Sequence, residues 1–156
     1  MVETMAQKTA VAGPSEAVVQ FSVFTPNRLG RLHALINLLG SHAVHVLAMT
    51  VLDTTDCAVI RIVVDDPDKA RELLNQHGFA HAETRIVVTE VSSTEDMNKL
   101  LAALLEAELN INYLYSFVPH PRGKSMLAIC AEDNEVAGQT LKRHQFPLLK
   151  QADISR

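Results

Sequence analysis

The chain of 156 residues repeats itself at long range. Leu32, Leu35, Ile36 and Leu39 fall on one face at helical spacing, and the spacing returns as Met97, Leu100, Leu101 and Leu104. A second set, Ala70, Leu74, His77 and Phe79, returns as Ala137, Leu141, His144 and Phe146. A period this long marks a duplicated small domain rather than a solenoid of short repeats. Each half is small for a core of its own, so the two are expected to pack together.

Each half reads strand, helix, strand, strand, helix, strand. In the first half, alternation predicts a strand over 19–24, and apolar runs predict strands over 44–53 and 57–64. A helix between the first two ends near His42. Asp66 suits a helix cap, Pro67 the first helical position, and Gly78 the left-handed position after the helix. A strand follows over 83–91. The second half continues with a helix from Met97 whose Leu100, Leu101, Leu104 and Leu105 face the core. Strands over 110–118 and 124–131, a helix over 134–144 and a last strand over 148–154 complete it. The repeating units are 18–85 and 84–155, so strand 83–91 is either shared or passes from one sheet to the next. The expected organisation is a disordered tail over 1–16, a first domain over 17–83 and a second over 84–156.

The junction after the first strand carries the chemistry. In Thr25-Pro26-Asn27-Arg28-Leu29-Gly30-Arg31-Leu32, Pro26 and Gly30 turn a strand sharply into a helix. Gly30 lets a ligand or another backbone approach closely. The first amides of a helix have no intrahelical acceptor, and the macrodipole favours an anion such as a carboxylate beside them. The plainer alternative is a simple connector with Arg28 and Arg31 as surface charge.

Composition narrows the function. No apolar run reaches the roughly 20 residues of a membrane span, and the start lacks the pattern of a signal peptide, so a cytoplasmic protein with no membrane partner is expected. The net charge is −4, with both signs interspersed, and there is no Trp. Neither a phosphate footprint nor a stacking surface is apparent, and nucleic acid is not expected as a partner. Cys57 and Cys130 lie in apolar strand patterns and read as small buried residues. The seven histidines put no His-x-x-x-His pair on one helical face, because His77 and His81 lie across a helix–strand junction. His77 and His144 recur at helix ends, where a cation suits the dipole. Capping accounts for Asp65, Asp66 and Asp68. No nucleophile elbow, P-loop or dinucleotide fingerprint appears, so neither an enzyme nor a metal or cofactor is expected.

A βαββαβ unit that opens on a strand, then Asn27, Arg28, Leu29, Gly30, Arg31 and Leu32, then an apolar helix and a strand starting Val44-His45-Val46, resembles the ACT domain. From about Val18 the whole chain resembles the small bacterial tandem ACT proteins, and Tyr113-Leu114-Tyr115-Ser116-Phe117 fits that group. The resemblance implies an α+β fold. Two ferredoxin-like βαββαβ units would join edge to edge into an eight-stranded, mostly antiparallel sheet with helices on one face. It also implies a regulatory module with an amino acid bound between the strand–helix loop of one unit and the second strand of the other. Asn27, Arg28, Gly30 and Leu32 match the family loop, while Leu29 stands where proline is usual. Asn110 matches the asparagine that begins the facing strand, with Ile111 and Asn112 beside it. In the other half His45 replaces that asparagine, and Ser93, Thr94 and Glu95 replace the loop residues. Glu95 and Asp96 would repel a carboxylate, so one composite site looks intact and its mirror image degraded. Asn110 has a plainer role open to it, as a residue ending the preceding helix.

Two functions follow. One is a sensor that binds an amino acid and changes its assembly or a partner. The other is a docking or regulatory subunit of an enzyme of amino-acid metabolism, with no ligand of its own. Exposed sheet edges lead to the expectation of a homodimer. Leu29, Leu47 and Leu114 suggest an apolar pocket for the ligand side chain.

Overall fold

A computed structural model describes residues 16–26, 30–119 and 124–155. The predicted tail lies outside these residues except for Glu16, as do Asn27, Arg28 and Leu29 and the turn residues His120, Pro121, Arg122 and Gly123.

The first half contains β1 (Val18–Pro26), α1 (Arg31–Ser41), β2 (Val46–Asp53), β3 (Cys57–Val64) and α2 (Pro67–Gln76). A long strand, β4 (Ala80–Val91), leads into the second half: α3 (Thr94–Glu106), β5 (Ile111–Ser116), β6 (Ser125–Ala131), α4 (Asn134–Arg143) and the short α5 (Gln151–Ile154). The strands lie in the order β2-β3-β1-β4-β6-β5, and every pairing is antiparallel. The ends of this ribbon meet where Ala48 bridges Phe117 and the Val118 amide donates to the Leu47 carbonyl at 2.8 Å. The sheet is therefore curled almost into a closed ring.

The helix starts follow their capping residues. Asp66 accepts from the Lys69 amide, Ser93 from Asp96 and Asp133 from Val136. Gly78 takes φ +69. The ends of α1, α2 and α4 share one device: the Nδ1–H groups of His42, His77 and His144 donate to the carbonyls of Leu38, Leu73 and Thr140. All three histidines were expected at or near helix ends.

Three cores follow from the alternation of each strand. Val19, Phe21, Val23, Ile60 and Ile62 pack under Leu35 and Leu39 of α1 and Ala70 and Leu74 of α2. Val87, Val91, Leu127 and Ile129 pack under Leu100 and Leu104 of α3 and Ala137 and Leu141 of α4. The opposite, concave face closes on itself, with Val18, Ala48, Val63 and Ile86 against Tyr115, Phe117, Ala128 and Cys130. The four longer helices thus lie on one face of the ribbon, as expected. Leu101 and Leu105 do not join the core as predicted; they are 38% and 76% exposed, because α3 buries only its Leu100–Leu104 stripe.

The strand count corrects the expected eight to six, for one physical reason. β4 serves both halves. Residues Ala80 to Ile86 pair with β1, and residues Val87 to Val91 pair with β6. The last predicted strand would run along the same edge of β4 that β1 already occupies. It makes a single bridge, Thr89 to Leu148, and one further bond from the Leu149 amide to the Val88 carbonyl. There it meets the start of β1 and turns into α5 instead of continuing as strand 148–154. Gln151 then takes the place of a strand residue. Its Oε1 accepts from the Val19 amide at 3.0 Å, and its Nε2 donates to the Val64 carbonyl at 3.1 Å.

Candidate functional site

Gly30 forms the start of α1 with φ +90, a conformation that L side chains rarely adopt. It offers no side chain to cap the helix, and its carbonyl accepts from the Ala34 amide at 2.8 Å. Among the described residues no side chain caps the N-terminal amides of α1, unlike those of the other long helices. Arg31 does not stand in solvent. Its guanidinium lies 4.6 Å from the centre of the Phe79 ring, and its Nε is buried without a hydrogen-bond partner among the described residues. Leu32 packs on the first core.

The corresponding start of α3 is already occupied. Ser93 Oγ accepts from the Asp96 amide at 3.2 Å, and Asp96 Oδ2 accepts from the Ser92 amide at 2.9 Å. This reciprocal box, together with Glu95, fills the place a carboxylate would take.

Asn110 precedes β5 and is held by Glu132, a residue the sequence reading did not single out. The Asn110 amide donates to Glu132 Oε1 at 3.0 Å and its Nδ2 to Oε2 at 3.4 Å, while the Glu132 amide returns to the Asn110 carbonyl at 3.0 Å. The first half repeats this clamp at the position paired with Asn110. The His45 amide donates to Asp65 Oδ1 at 2.8 Å, its Nδ1–H to Oδ2 at 2.7 Å, and the Asp65 amide to the His45 carbonyl at 3.1 Å. Asp65 is thus the partner of His45 rather than a cap. Asp66 alone caps α2, and Asp68 pairs with Arg71. The signal that could have revealed Glu132 was in the repeat: Asp65-Asp66 after one strand matches Glu132-Asp133 after its counterpart.

Ile111 packs partly on the second helical core, and Asn112 is exposed. Among the described residues no hydrogen bond or ion pair joins 30–32 to 110–112. Of the three apolar residues suggested for a pocket, Leu47 packs on the concave core, Leu114 is exposed, and Leu29 is outside the described residues. A depression of about 850 Å³ lies elsewhere, between α4, β4 and residues 146–150, and contains none of the predicted site residues.

The ACT domain pair model matches residues 16–155, and the chain belongs to this family of regulatory modules. It is similar to the structure of protein BT0572 from Bacteroides thetaiotaomicron, with 25% identity and a TM-score of 0.82 over 92% of this chain and 99% of that one. The regulatory subunit of aspartate kinase from Thermus thermophilus, in its ligand-free form, shares the fold at 13% identity and a TM-score of 0.57, over 84% of this chain and 95% of that one. The subunit from Thermus flavus does so at 14% identity and 0.54, over 82% and 92%. No curated protein sequence matches. Among the described residues no helix is long and apolar enough to cross a membrane.

Proposed function

We propose that this chain is a non-catalytic, cytoplasmic regulatory module that binds an amino acid between residues 27–32 and residues 110–112, at the junction of its two halves. The observation that carries this reading is the inequality of two equivalent helix starts: α1 opens behind a left-handed glycine with no side-chain cap among the described residues, and α3 is closed by Ser93 and Asp96. The α-carboxylate would take the free amides of α1. Asn110 suits the α-ammonium, because its Nδ2 is committed to Glu132 and its Oδ1 is left to accept. The strand directions support the juxtaposition. With Ala48 facing Phe117 antiparallel, the start of β5 runs toward the Asp53 end of β2, the end at which β1 reaches Pro26.

Isothermal titration against the twenty amino acids tests it. Asn110→Ala is expected to weaken binding by about 1.5–3 kcal/mol, the worth of a hydrogen bond to a charged group. Gly30→Ala is expected to weaken it through backbone strain, since a Cβ there meets nothing within 4 Å. Ser93→Ala should leave it unchanged. If Ser93→Ala abolishes binding while the other two bind normally, the site is the mirror image.

A docking role is the second reading, favoured by β2. Met49 and Val51 are exposed on the convex side of this outermost strand. A second copy of this chain or an enzyme partner would cover them. This reading takes over if no amino acid binds.

A further inference from the structure

The concave face of the sheet is only half filled. Beyond the packed residues, strand alternation and register set two rows side by side. Thr50, Arg61, Ser22 and Ala82 form the first, and Leu52, Val59, Phe24 and Ala80 form the second. Phe24 is 43% exposed and Leu52 is 49% exposed, so the second row is an open apolar shelf. In the first row Arg61 is the one charged side chain. Its guanidinium carbon lies 3.9 Å from the centre of the Tyr113 ring, and its Nε is buried without a hydrogen-bond partner among the described residues. Among the described residues no carboxylate pairs with it. The hydroxyls of Ser22 and Thr50 flank it on the neighbouring strands.

A guanidinium, two flanking hydroxyls and an apolar shelf one step further along the strands match a particular kind of molecule. We infer that this face binds a small aliphatic carboxylate, its head on Arg61 and its body over Val59, Phe24 and Leu52. The two rows are roughly 7 Å apart along the strands, the reach of a short alkyl chain. A second copy of the chain is a poorer occupant, because a two-fold contact through this shelf would set one unpaired arginine against another. The shelf lies at the same end of the sheet as the site proposed for an amino acid but shares none of its residues.

The chain provides its own reporter. It has two Tyr and no Trp; the Arg61 guanidinium lies over the Tyr113 ring, and Gln20 links the Tyr113 hydroxyl to that of Tyr115. Tyrosine emission of the full chain should change saturably with hexanoate and not with hexan-1-ol. Arg61→Gln should weaken hexanoate by about tenfold or more, the loss of a charge-assisted contact. Leu52→Asp, at an exposed position outside the core, should abolish the response by placing a carboxylate on the shelf. Asn110→Ala and Gly30→Ala should respond like the parent, which separates this site from the amino-acid site. The proposal is overturned if hexanoate gives no saturable change, if hexan-1-ol matches it, or if either shelf variant binds as the parent does. It is also overturned if sedimentation shows that Arg61→Gln or Leu52→Asp splits an oligomer, since the shelf would then belong to a second copy.

Discussion

Gln20 is fully buried where the two halves of the curled sheet face each other, and both ends of its amide are used. Its Nε2 donates to the Tyr113 hydroxyl at 2.7 Å, and its Oε1 accepts from the Tyr115 hydroxyl at 2.6 Å. A buried polar group without partners is costly, so one residue from β1 fixes the register of β5 against it. Gln20→Leu is expected to lower stability by about 2–3 kcal/mol in urea unfolding, because the buried Tyr115 hydroxyl and the half-buried Tyr113 hydroxyl lose their partner. Burial also pushes the Tyr115 phenol above its ordinary value of 10.0. The stability tied to this group is complete below pH 10.0 and is lost as pH rises through the higher folded value. Alkaline titration at the phenolate absorbance band should show one tyrosine ionising only as the fold is lost.

At the scale of elements, α2 is tied to β4 by charge. Arg71 reaches Glu83 through Nε at 2.6 Å and Nη2 at 2.7 Å, and Asp68 through Nη1 at 2.9 Å. The hydrogen bonds from Arg71 hold the Glu83 carboxyl below its ordinary 4.5. Its contribution is therefore present above pH 4.5 and lost as pH falls through the lower folded value. Both side chains are partly exposed, so Glu83→Gln should cost only about 0.5–1 kcal/mol at neutral pH. Thermal melts of parent and variant should converge in acid; a gap that persists at low pH would show that the pair is not the cause. The same scale explains why the helices start where they do. Asp66, Ser93 and Asp133 each accept from the amide three residues on, so each helix start is set by a local side chain.

At the scale of the molecule, β4 makes the two halves one cooperative unit. Its first seven residues complete the first sheet, its last five complete the second, and α5 returns to close β1 against β3. Calorimetry should give a single transition, and a fragment ending at Ser92 should fail to fold, because the apolar Val87 and Val91 lose β6 and its helices. Two resolved transitions would contradict this. The sequence determined what depends on spacing and local chemistry. The duplicated stripes Leu35/Leu39 and Leu100/Leu104, the caps at Asp66 and Ser93, and the glycine at the head of α1 all follow from side chains and their near neighbours. The places of Gly30 at the head of α1 and of Asn110 before β5 were legible because both differ from their counterparts in the repeat. Glu132 was not, because its role is a contact made across the sheet, 22 residues from Asn110. Nor could spacing show that strand 148–154 would be stopped by β1. Two segments far apart in the chain compete for one edge of β4, and only the folded sheet decides which of them has it.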